Sequence, residues 1–408
     1  MNELFGPQTQ AHGVFVVPGG RARVGVRLQD GAGDAVVDVS ALAREDGLDW
    51  AEDPAAPSLN PFMARGPQVW AAHRRWLGEV LGGDDRPVAA RVRAASIPLH
   101  DPARPVRLLL PFEVADYVDF YASREHASNL GRMFRPGQPP LTPNWAHVPI
   151  GYHGRAGTVV VSGTPVRCPV GQVRPSGATS PEVVATRRLD IEAEVGFVVG
   201  VGTELGERVG VGALADHVFG VCLVDDWSAR DLQAWEYVPL GPFLAKSFAT
   251  SVSAWVTPLS SLAGARVAAP ERDVPLQAYL DDAEDPWGLD LRLEVRLNGH
   301  LLSRPPFAGM YWTAAQQLAH LSLNGASLRT GDLFASGTVS GAEPDQRGSL
   351  IELTWNGEQP LGFPDGTTRT FLQDGDEVVI TALAPGPDGT RTGLGEVAGR
   401  VEPAETLL

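Results

Sequence analysis

The chain has 408 residues, of which 43% are apolar and 20% charged, so it is long enough for two or three domains of about 150 residues each. This composition excludes a predominantly disordered protein. The formal net charge is −16 and the sequence has no cluster of lysine or arginine, which excludes a nucleic-acid-binding protein. An acidic substrate would therefore need cations placed locally in its site.

The sequence predicts a cytoplasmic protein that does not enter a membrane. Its N-terminal residues have neither the basic start nor the apolar stretch of a signal peptide. No segment approaches the roughly 18 uninterrupted apolar residues that a membrane span needs. Cys168 and Cys222 lie far apart and outside any C-x-x-C pattern, so we expect two buried, reduced thiols.

The first 112 residues are predicted to form a small β-rich domain without catalytic residues. Val24, Val26 and Leu28 alternate as the buried face of a strand does, and a turn follows them. Residues 67–82 have helical spacing and begin at Pro67, a favourable first helical position. High contents of glycine (46) and proline (34) predict many turns and short strands throughout the chain.

The remaining residues, 113–408, are predicted to form one large and mostly β domain. A short apolar strand is expected at 108–112, and the boundary is placed directly after it. We expect residues 113–126 to form a helix or a broken helix, and residues 313–322 a second helix. Elsewhere, short strands alternate with turns rich in glycine and proline.

Two glutamates in the segment LDIEAEVGFVVG, residues 189–200, carry the strongest chemical signal. In a strand, Glu192 and Glu194 point to the same face while their apolar neighbours point to the other. Two buried carboxylates side by side repel each other, and a divalent cation with oxygen ligands would remove that repulsion. An exposed strand face with two solvated glutamates explains the pattern equally well, so the segment alone leaves both readings open.

A second acidic pair ends the apolar run at residues 221–224. Asp225 and Asp226 follow this predicted strand directly, and for a lone aspartate the helix N-cap is the commoner role. Arg230 and Gln233 lie four and seven residues after Asp226. If a helix begins at Asp226, all three side chains share one of its faces and form a site for charged oxygens.

Asp119 and His126 are seven residues apart in DYVDFYASREHASN. If one helix carries both, they are separated by about 10.5 Å along its axis and flank a pocket without touching. A single histidine is more often structural than catalytic, so this spacing alone does not assign His126 a role.

Two further charged residues occur in apolar surroundings. Glu352 lies in a predicted apolar strand, where a buried carboxylate needs a partner that a histidine would supply, although a surface ion pair is the simpler explanation. Lys246 and Thr250 lie in the segment KSFAT, which follows a turn rich in proline and glycine.

Together, these segments resemble the fumarylacetoacetate hydrolase family. The similarity extends in order over residues 113–355 through DYVDFYASREHASN, PNWAHVPIGYHGR, LDIEAEVGFVVG, DDWSARDLQAWEYVPLGPFLAKSFAT and ASGTVSGAEP, and RTFLQDGDEV also matches. The resemblance implies a small N-terminal SH3-like β-barrel, a large mixed β-roll catalytic domain and a homodimer. The implied reaction splits a carbon–carbon bond of fumarylacetoacetate, an anionic diketo acid, into fumarate and acetoacetate in the final step of tyrosine and phenylalanine breakdown.

The resemblance also implies a role for each matching residue. The general base corresponds to His126, and the carboxylate that orients it corresponds to Glu352. The groups that stabilise developing negative charge correspond to Arg230, Gln233 and Lys246. The ligands of Mg²⁺ or Ca²⁺ fall on Asp119, Glu192, Glu194 and Asp226, with a cation also held near Lys246 and Thr250. The substrate contacts fall on Tyr121, Arg135, Tyr152, Gln233, Tyr237 and Thr338.

Two other functions are compatible with parts of this pattern. An acylpyruvate hydrolase or a keto-acid decarboxylase or isomerase of the same superfamily would share the acidic residues, but not the combination of His126, Glu352 and an additional N-terminal domain. A catalytically silent metal-binding or interaction protein would be expected to lack His126, Arg230 or Lys246, and all three are present.

Overall fold

The computed structural model describes residues 4–31, 33–83 and 85–405 as a strand-rich mixed α/β fold. The strands are β1 (His12–Val16), β2 (Arg23–Asp30), β3 (Gly33–Asp38), β4 (Ser96–Pro98), β5 (Arg107–Leu109), β6 (Tyr117–Phe120), β7 (Gly151–His153), β8 (Val159–Val161), β9 (Val166–Arg167), β10 (Val170–Val173), β11 (Glu182–Ala185), β12 (Leu189–Asp190), β13 (Ala193–Val199), β14 (Val218–Asp226), β15 (Ser228–Ala229), β16 (Thr250–Val252), β17 (Trp255–Pro258), β18 (Arg266–Val267), β19 (Gly288–Leu289), β20 (Arg292–Leu297), β21 (His300–Ser303), β22 (Leu333–Ala335), β23 (Leu361–Gly362), β24 (Thr368–Arg369), β25 (Glu377–Pro385) and β26 (Arg391–Glu402). The helices are α1 (Val39–Glu45), α2 (Asn60–Met63), α3 (Pro67–Gly82), α4 (Arg86–Ala95), α5 (Arg124–Phe134), α6 (Leu214–His217), α7 (Arg230–Glu236), α8 (Leu244–Ser247), α9 (Ala314–Ser322) and α10 (Leu350–Leu353).

The N-terminal region has the strand and the long helix that the sequence predicts. Strands β2 and β3 pair antiparallel, and Val24, Val26 and Leu28 are buried. Helix α3 begins at Pro67, as expected, and buries Leu77 and Val80. These side chains pack with the main sheet rather than forming a core of their own, because the same apolar cluster includes residues of β13, β14, β17 and β22.

A single hydrogen-bonded path joins the N-terminal strands to the rest of the molecule, in the order β4-β3-β2-β1-β17-β14-β13-β22-β6-β7. Strand β1 pairs with β2 along one edge, and along the other it pairs with β17 and then β5. Among the described strands, therefore, no separate ring closes in the N-terminal region. The expected SH3-like barrel is not found as a closed barrel, because the edge of β1 is occupied by the main sheet.

A second sheet, in the order β21-β20-β25-β26-β9, packs against the main sheet. Phe197 of β13 and Phe334 of β22 stack with their ring centroids 5.2 Å apart within the shared core. Helix α9 covers this core and agrees with the predicted helix at 313–322. It begins at a capping box in which Thr313 and Gln316 bind each other's backbone.

Two local expectations were wrong, and both concern residues of the predicted site. Residues 113–126 do not form one helix: Asp119 lies in β6, which pairs parallel with β22, and α5 begins only after Ser123. Ser123 caps α5 by accepting a hydrogen bond from the backbone N–H of His126. Glu352 lies in the short helix α10 and not in a strand, because Ser349 begins a helical turn there.

Both cysteines are buried and free of disulfides, as the sequence predicts. Within the described residues, no helix is both long enough and apolar enough to cross a bilayer.

Candidate active site

A cavity of about 390 Å³ opens beside the ends of strands β6, β13 and β14. Its wall contains most of the residues expected to form the site: Asp119, Tyr121, His126, Arg135, Tyr152, Glu192, Arg230, Gln233, Tyr237, Lys246 and Thr338. The other four predicted residues, Glu194, Asp226, Thr250 and Glu352, are buried and contact or adjoin residues of this wall.

Four carboxylates converge at the inner end of the cavity because neighbouring strands carry them. Asp119 lies on β6, Glu194 on β13 and Asp226 at the end of β14, and these strands are linked through β22 and through direct pairing. Each of these residues, together with Glu192, offers an oxygen within 4.8 Å of the others, and all four side chains are buried. Burial excludes the alternative of an exposed strand face for Glu192 and Glu194.

The cluster has more negative charge than the protein neutralises. Burial and the charges of neighbouring carboxylates raise the pKa of Asp119 and of Glu194 well above the usual range. Asp119 Oδ1 and Glu194 Oε1 are buried and accept no hydrogen bond from any residue that the structure describes. Orphaned carboxylate oxygens facing one another fit a hard divalent cation, whose preferred ligands are oxygens.

Two buried cations hold the remaining part of the cluster. Lys246 Nζ contacts carboxylate oxygens of both Glu192 and Asp226, and Arg230 Nη2 donates to Glu192 Oε1 at 2.7 Å. Burial opposes ionisation of Glu192, but the adjacent Lys246 and Arg230 outweigh it and lower the pKa of Glu192. Burial likewise disfavours the charged lysine, whereas Asp226 and Glu192 raise the pKa of Lys246, which therefore stays protonated at neutral pH.

Asp226 is not a helix cap. Helix α7 begins after Ala229, which has no side-chain capping bond, whereas Asp226 ends a buried strand. Its carboxylate accepts hydrogen bonds from Thr250 Oγ1 at 3.1 Å and from the Tyr152 hydroxyl at 3.3 Å. The expectation that Asp226 shares a helix face with Arg230 and Gln233 was wrong, although the strand end brings it into the same cluster.

His126 and Glu352 form a buried pair. His126 Nδ1 lies 2.6 Å from Glu352 Oε2, and His126 Nε2 faces Glu192 at 3.5 Å. Burial would raise the pKa of Glu352, but His126 and donated hydrogen bonds lower it, so it remains a carboxylate. Three further donors fix this carboxylate at 2.8–2.9 Å: Asn129, Ser340 and Ser349.

Arg230 is held by acceptors on three sides. Besides Glu192, it donates through Nε to Asp190 at 2.7 Å and through Nη1 to Gln233 at 3.1 Å. Arg230 and Gln233 lie three residues apart on α7 and therefore share one of its faces, as the sequence predicts. The guanidinium therefore lies in a fixed orientation at the cavity wall, next to the carboxylate cluster.

The expected substrate contacts are all among the residues that line the cavity. Tyr121 meets the ring of His126 edge to face with centroids 5.4 Å apart. Arg135 follows α5 and donates to the carbonyl of Pro140 at 2.8 Å. Tyr237 is 39% exposed at the entrance, and the buried hydroxyl of Thr338 has no hydrogen-bond partner in the described part of the chain.

Sequence reasoning missed the residues that support the site from behind. Asp190 lies two residues before Glu192, so strand alternation carries a signal for it that was overlooked. Asn129 follows His126 by three residues and has the helical spacing needed to reach the same carboxylate. Ser340 and Ser349 come from loops, and their positions cannot be read from spacing.

Comparisons with known proteins cover nearly the whole chain. The family model described as Fumarylacetoacetate (FAA) hydrolase C-terminal matches residues 116–402, and the one described as Fumarylacetoacetase N-terminal matches residues 12–111. Fumarylacetoacetase of Homo sapiens is 44% identical, covering 96% of this chain and 95% of the human protein. Fumarylacetoacetase of Arabidopsis thaliana is 42% identical, covering 91% and 90%.

Among solved structures, a fumarylacetoacetate hydrolase from Exiguobacterium antarcticum is similar with a TM-score of 0.55 and 18% identity, covering 97% of this chain and 100% of that one. A maleylpyruvate hydrolase from Sphingobium is similar with a TM-score of 0.51 and 17% identity, covering 97% and 100%. At these identities the structural matches show the shared fold.

The sequence matches define the class of protein, a hydrolase built around a buried acidic site. The chain belongs to the fumarylacetoacetate hydrolase family.

Proposed function

We propose that this chain hydrolyses the carbon–carbon bond of fumarylacetoacetate to give fumarate and acetoacetate, the final step of tyrosine and phenylalanine breakdown. The observation that carries the proposal is the buried pair of His126 and Glu352 beside four convergent carboxylates in a single cavity. The relatives named fumarylacetoacetase, at 44% and 42% identity over nearly the whole chain, support the same substrate.

Asp119, Glu192, Glu194 and Asp226 would hold a divalent ion, which we propose to be Mg²⁺ or Ca²⁺ because all of the donors are carboxylate oxygens. When bound, such an ion supplies Lewis acidity toward the oxygens of a diketo acid. We also propose a cation near Lys246 and Thr250. The protonated Lys246 Nζ has no free lone pair, so only the backbone oxygen of this residue could be a ligand.

His126 is proposed to take a proton from water through Nε2, because its Nδ1 is occupied by Glu352. Glu352 fixes the tautomer of the imidazole and stabilises its protonated form. The water oxygen bonds to the carbonyl carbon, the adjacent carbon–carbon bond breaks, and its electron pair leaves on acetoacetate as an enolate. The proton held by His126 is then available to the enolate carbon.

Arg230, Gln233 and Lys246 are proposed to stabilise the negative charge that develops during this reaction. Arg230 and Lys246 are buried cations that already touch Glu192 at the wall of the cavity. Donors of this kind, positioned before the reaction, are worth about 10²–10³-fold in rate when one is removed from an oxyanion site.

Substrate binding is assigned to residues that line the cavity. Arg135 would pair with a terminal carboxylate and so supply a local cation in an acidic chain. The remaining contacts are proposed to come from Tyr121, Tyr152, Gln233, Tyr237 and Thr338.

We propose that the chain has an N-terminal domain at 1–112 and a catalytic domain at 113–408, and that it acts as a cytoplasmic homodimer. The two family models support this division because they meet between residues 111 and 116. Both proposed domains contribute strands to one hydrogen-bonded sheet, and the catalytic domain is proposed to be the family's β-roll.

The test follows the loss of enolic diketone absorbance with fumarylacetoacetate and, in parallel, with an acylpyruvate. We expect faster turnover of fumarylacetoacetate, complete loss of activity after exhaustive chelation, and recovery when Mg²⁺ or Ca²⁺ is added. Faster turnover of the acylpyruvate would assign the chain to the other substrate class. Full activity in protein free of metal would contradict the proposed metal centre.

A further inference from the structure

Asp190 is fully buried behind the cavity, and both of its carboxylate oxygens are occupied. Oδ1 accepts hydrogen bonds from the backbone N–H of Ile191 at 2.8 Å and of Leu350 at 2.7 Å. Oδ2 accepts from the backbone N–H of Ile351 at 3.1 Å and from Arg230 Nε at 2.7 Å. Asp190 is not part of the cavity wall, so it does not reach a substrate.

The partners of Asp190 belong to two different functional groups of the site. Leu350 and Ile351 begin helix α10, and the next residue, Glu352, holds the ring of His126. Arg230 extends from the other side of the carboxylate toward Glu192 and Gln233. One buried side chain therefore touches both the helix that carries the base pair and the arginine next to the carboxylate cluster.

We propose that Asp190 is a positioning residue that fixes Arg230 and the base pair of His126 and Glu352 relative to each other, an inference that rests on the proposed hydrolase function. No other described side chain is hydrogen-bonded to both Arg230 and the first amides of α10. Asp190 acts through these neighbours, and its loss would shift groups that must be aligned within a fraction of an ångström.

A carboxylate is required here because every partner is a donor. An asparagine at this position offers one oxygen and turns an NH₂ group toward either Arg230 Nε or a backbone N–H, which brings two donors together. It also removes the charge that balances Glu192 across the guanidinium, so Arg230 would be drawn toward Glu192. The substitution keeps the volume of the side chain and changes only its hydrogen bonding and charge.

The test compares Asp190→Asn with a matched control, Asp376→Asn. Asp376 is also buried, accepts two hydrogen bonds from Arg369 at 2.9 and 3.0 Å, and accepts one from the backbone N–H of Gln373, but it lies outside the cavity wall. Both variants should lower Tm. Asp190→Asn should lower kcat on the order of 10²-fold with KM changed less than about threefold, whereas Asp376→Asn should leave both constants near their wild-type values.

Two further measurements separate positioning from a general loss of stability. Asp190→Asn and Arg230→Gln should remove the same contribution to kcat. The variant that carries both substitutions should therefore be at most about threefold slower than the slower single variant. Nitrogen NMR of the metal-loaded protein without substrate reports on the His126 ring, whose signals are identified by their absence in His126→Gln. Asp190→Asn should shift these signals, while Asp376→Asn should leave them unchanged. Should Asp190→Asn fail to fold, Asp190→Ser keeps one acceptor oxygen and is expected to give the same results.

An unchanged kcat together with unchanged His126 signals in the Asp190 variant would overturn the inference, and so would kcat losses that multiply in the double variant. Failure of the wild-type protein to hydrolyse the diketo acid would refute the proposed function instead. In that case the His126 signals alone decide whether Asp190 positions the pair.

Discussion

Glu192 and Glu194 lie two residues apart beside the same cavity, yet their surroundings shift their pKa values in opposite directions. Lys246 and Arg230 contact Glu192 and lower its pKa despite its burial. Among the described residues no cation contacts Glu194, so burial and the charges of Asp119 and Asp226 raise its pKa. Its one described partner, the backbone N–H of Gly337 at 3.2 Å, does not reverse this shift. Of the two glutamates, Glu194 is therefore the one that depends more on a bound cation.

Glu194→Gln should stabilise the metal-free protein and weaken metal binding. The amide removes a carboxylate that is costly to bury without a partner, and its NH₂ group can donate to the neighbouring carboxylates. In calorimetry, the chelated variant should melt above the chelated wild type, and the increase in Tm on adding Mg²⁺ should be smaller. A lower Tm of the chelated variant would show that Glu194 is already stabilised without metal.

His126 and Glu352 should behave as one unit in kinetics. His126→Ala and Glu352→Gln should each lower kcat by about 10²-fold or more, because the imidazole needs both its ring and its oriented tautomer. The double variant should be little slower than the slower single one, since residues that act together are not additive. Metal content, measured by elemental analysis, should match the wild type in all three. Loss of metal in Glu352→Gln would assign this carboxylate to the metal instead.

The sequence was sufficient to find the charged residues of the site and insufficient to decide what surrounds them. The motif resemblance selected Asp119 and His126, which line the cavity, and Glu352, which contacts His126. Whether Glu192 and Glu194 are exposed depends on pairing of β13 with β14 and β22, which come later in the chain. Local spacing contains no information about such partners, so burial had to come from the structure.

At the level of elements, the site depends on a strand followed closely by a helix. Residues 113–126 were expected to be helical, but β6 pairs with β22, in which Leu333 lies opposite Tyr117. This contact, more than 200 residues away along the chain, overrides the local preference. Asp119 consequently extends from a strand, and His126 lies in the first turn of α5. The axial distance expected between Asp119 and His126 assumed one continuous helix, so it does not apply to this structure.

Removing the cap of α5 should affect catalysis more than removing an equivalent cap elsewhere. Ser123→Ala deletes the hydroxyl that accepts from the N–H of His126 and donates to the carbonyl of Ser340. We expect a loss of about 1 kcal/mol in the free energy of unfolding. Because His126 is in the released turn, kcat should also fall on the order of tenfold.

The matched control is Thr313→Ala in the capping box of α9, where the hydroxyl accepts from the N–H of Gln316 and donates to Asp282. It should cost a similar amount in urea unfolding, about 1 kcal/mol, while kcat stays near the wild-type value. Equal effects of the two variants on kcat would mean that the α5 cap contributes only to stability.

At the level of the whole molecule, a buried histidine pair joins the N-terminal region to the main sheet. His12 Nε2 of β1 lies 2.9 Å from His73 Nε2 of α3, and the ring of Phe219 from β14 packs against His12 with centroids 5.6 Å apart. Burial lowers the pKa of His12 to about 3, with Arg74 as the charged neighbour that acts in the same direction. Burial also places the pKa of His73 well below its usual value.

This pair should make the protein sensitive to acid. Both rings are neutral in the fold, whereas an unfolded histidine binds a proton below about pH 6.5. The free energy of unfolding should therefore fall as pH decreases from 6.5 toward 3, by up to about 1.4 kcal/mol per pH unit for each histidine.

His73→Gln keeps a hydrogen-bonding partner for His12 and removes one titrating ring. Urea unfolding at several pH values should give a smaller slope for this variant between about pH 6.5 and 5, and matching slopes above about pH 7.5, where unfolded histidines are neutral. Identical slopes over the acidic interval would contradict the assignment.

The position of β1 also determines when the protein can complete its fold during synthesis. His12 and Gly13 pair with Val256 and Trp255, so this part of the β1 edge remains open until about 240 further residues have been added, whereas residues 14–16 can pair with β5 much earlier. At roughly 5–20 residues per second this interval lasts about 12–50 s. Throughout that time a nascent chain presents an unpaired strand edge, which is the surface most prone to pair with another chain. Slowing the ribosome before residue 255 would lengthen this exposure, so the yield of folded protein should depend on how fast the middle third of the message is read.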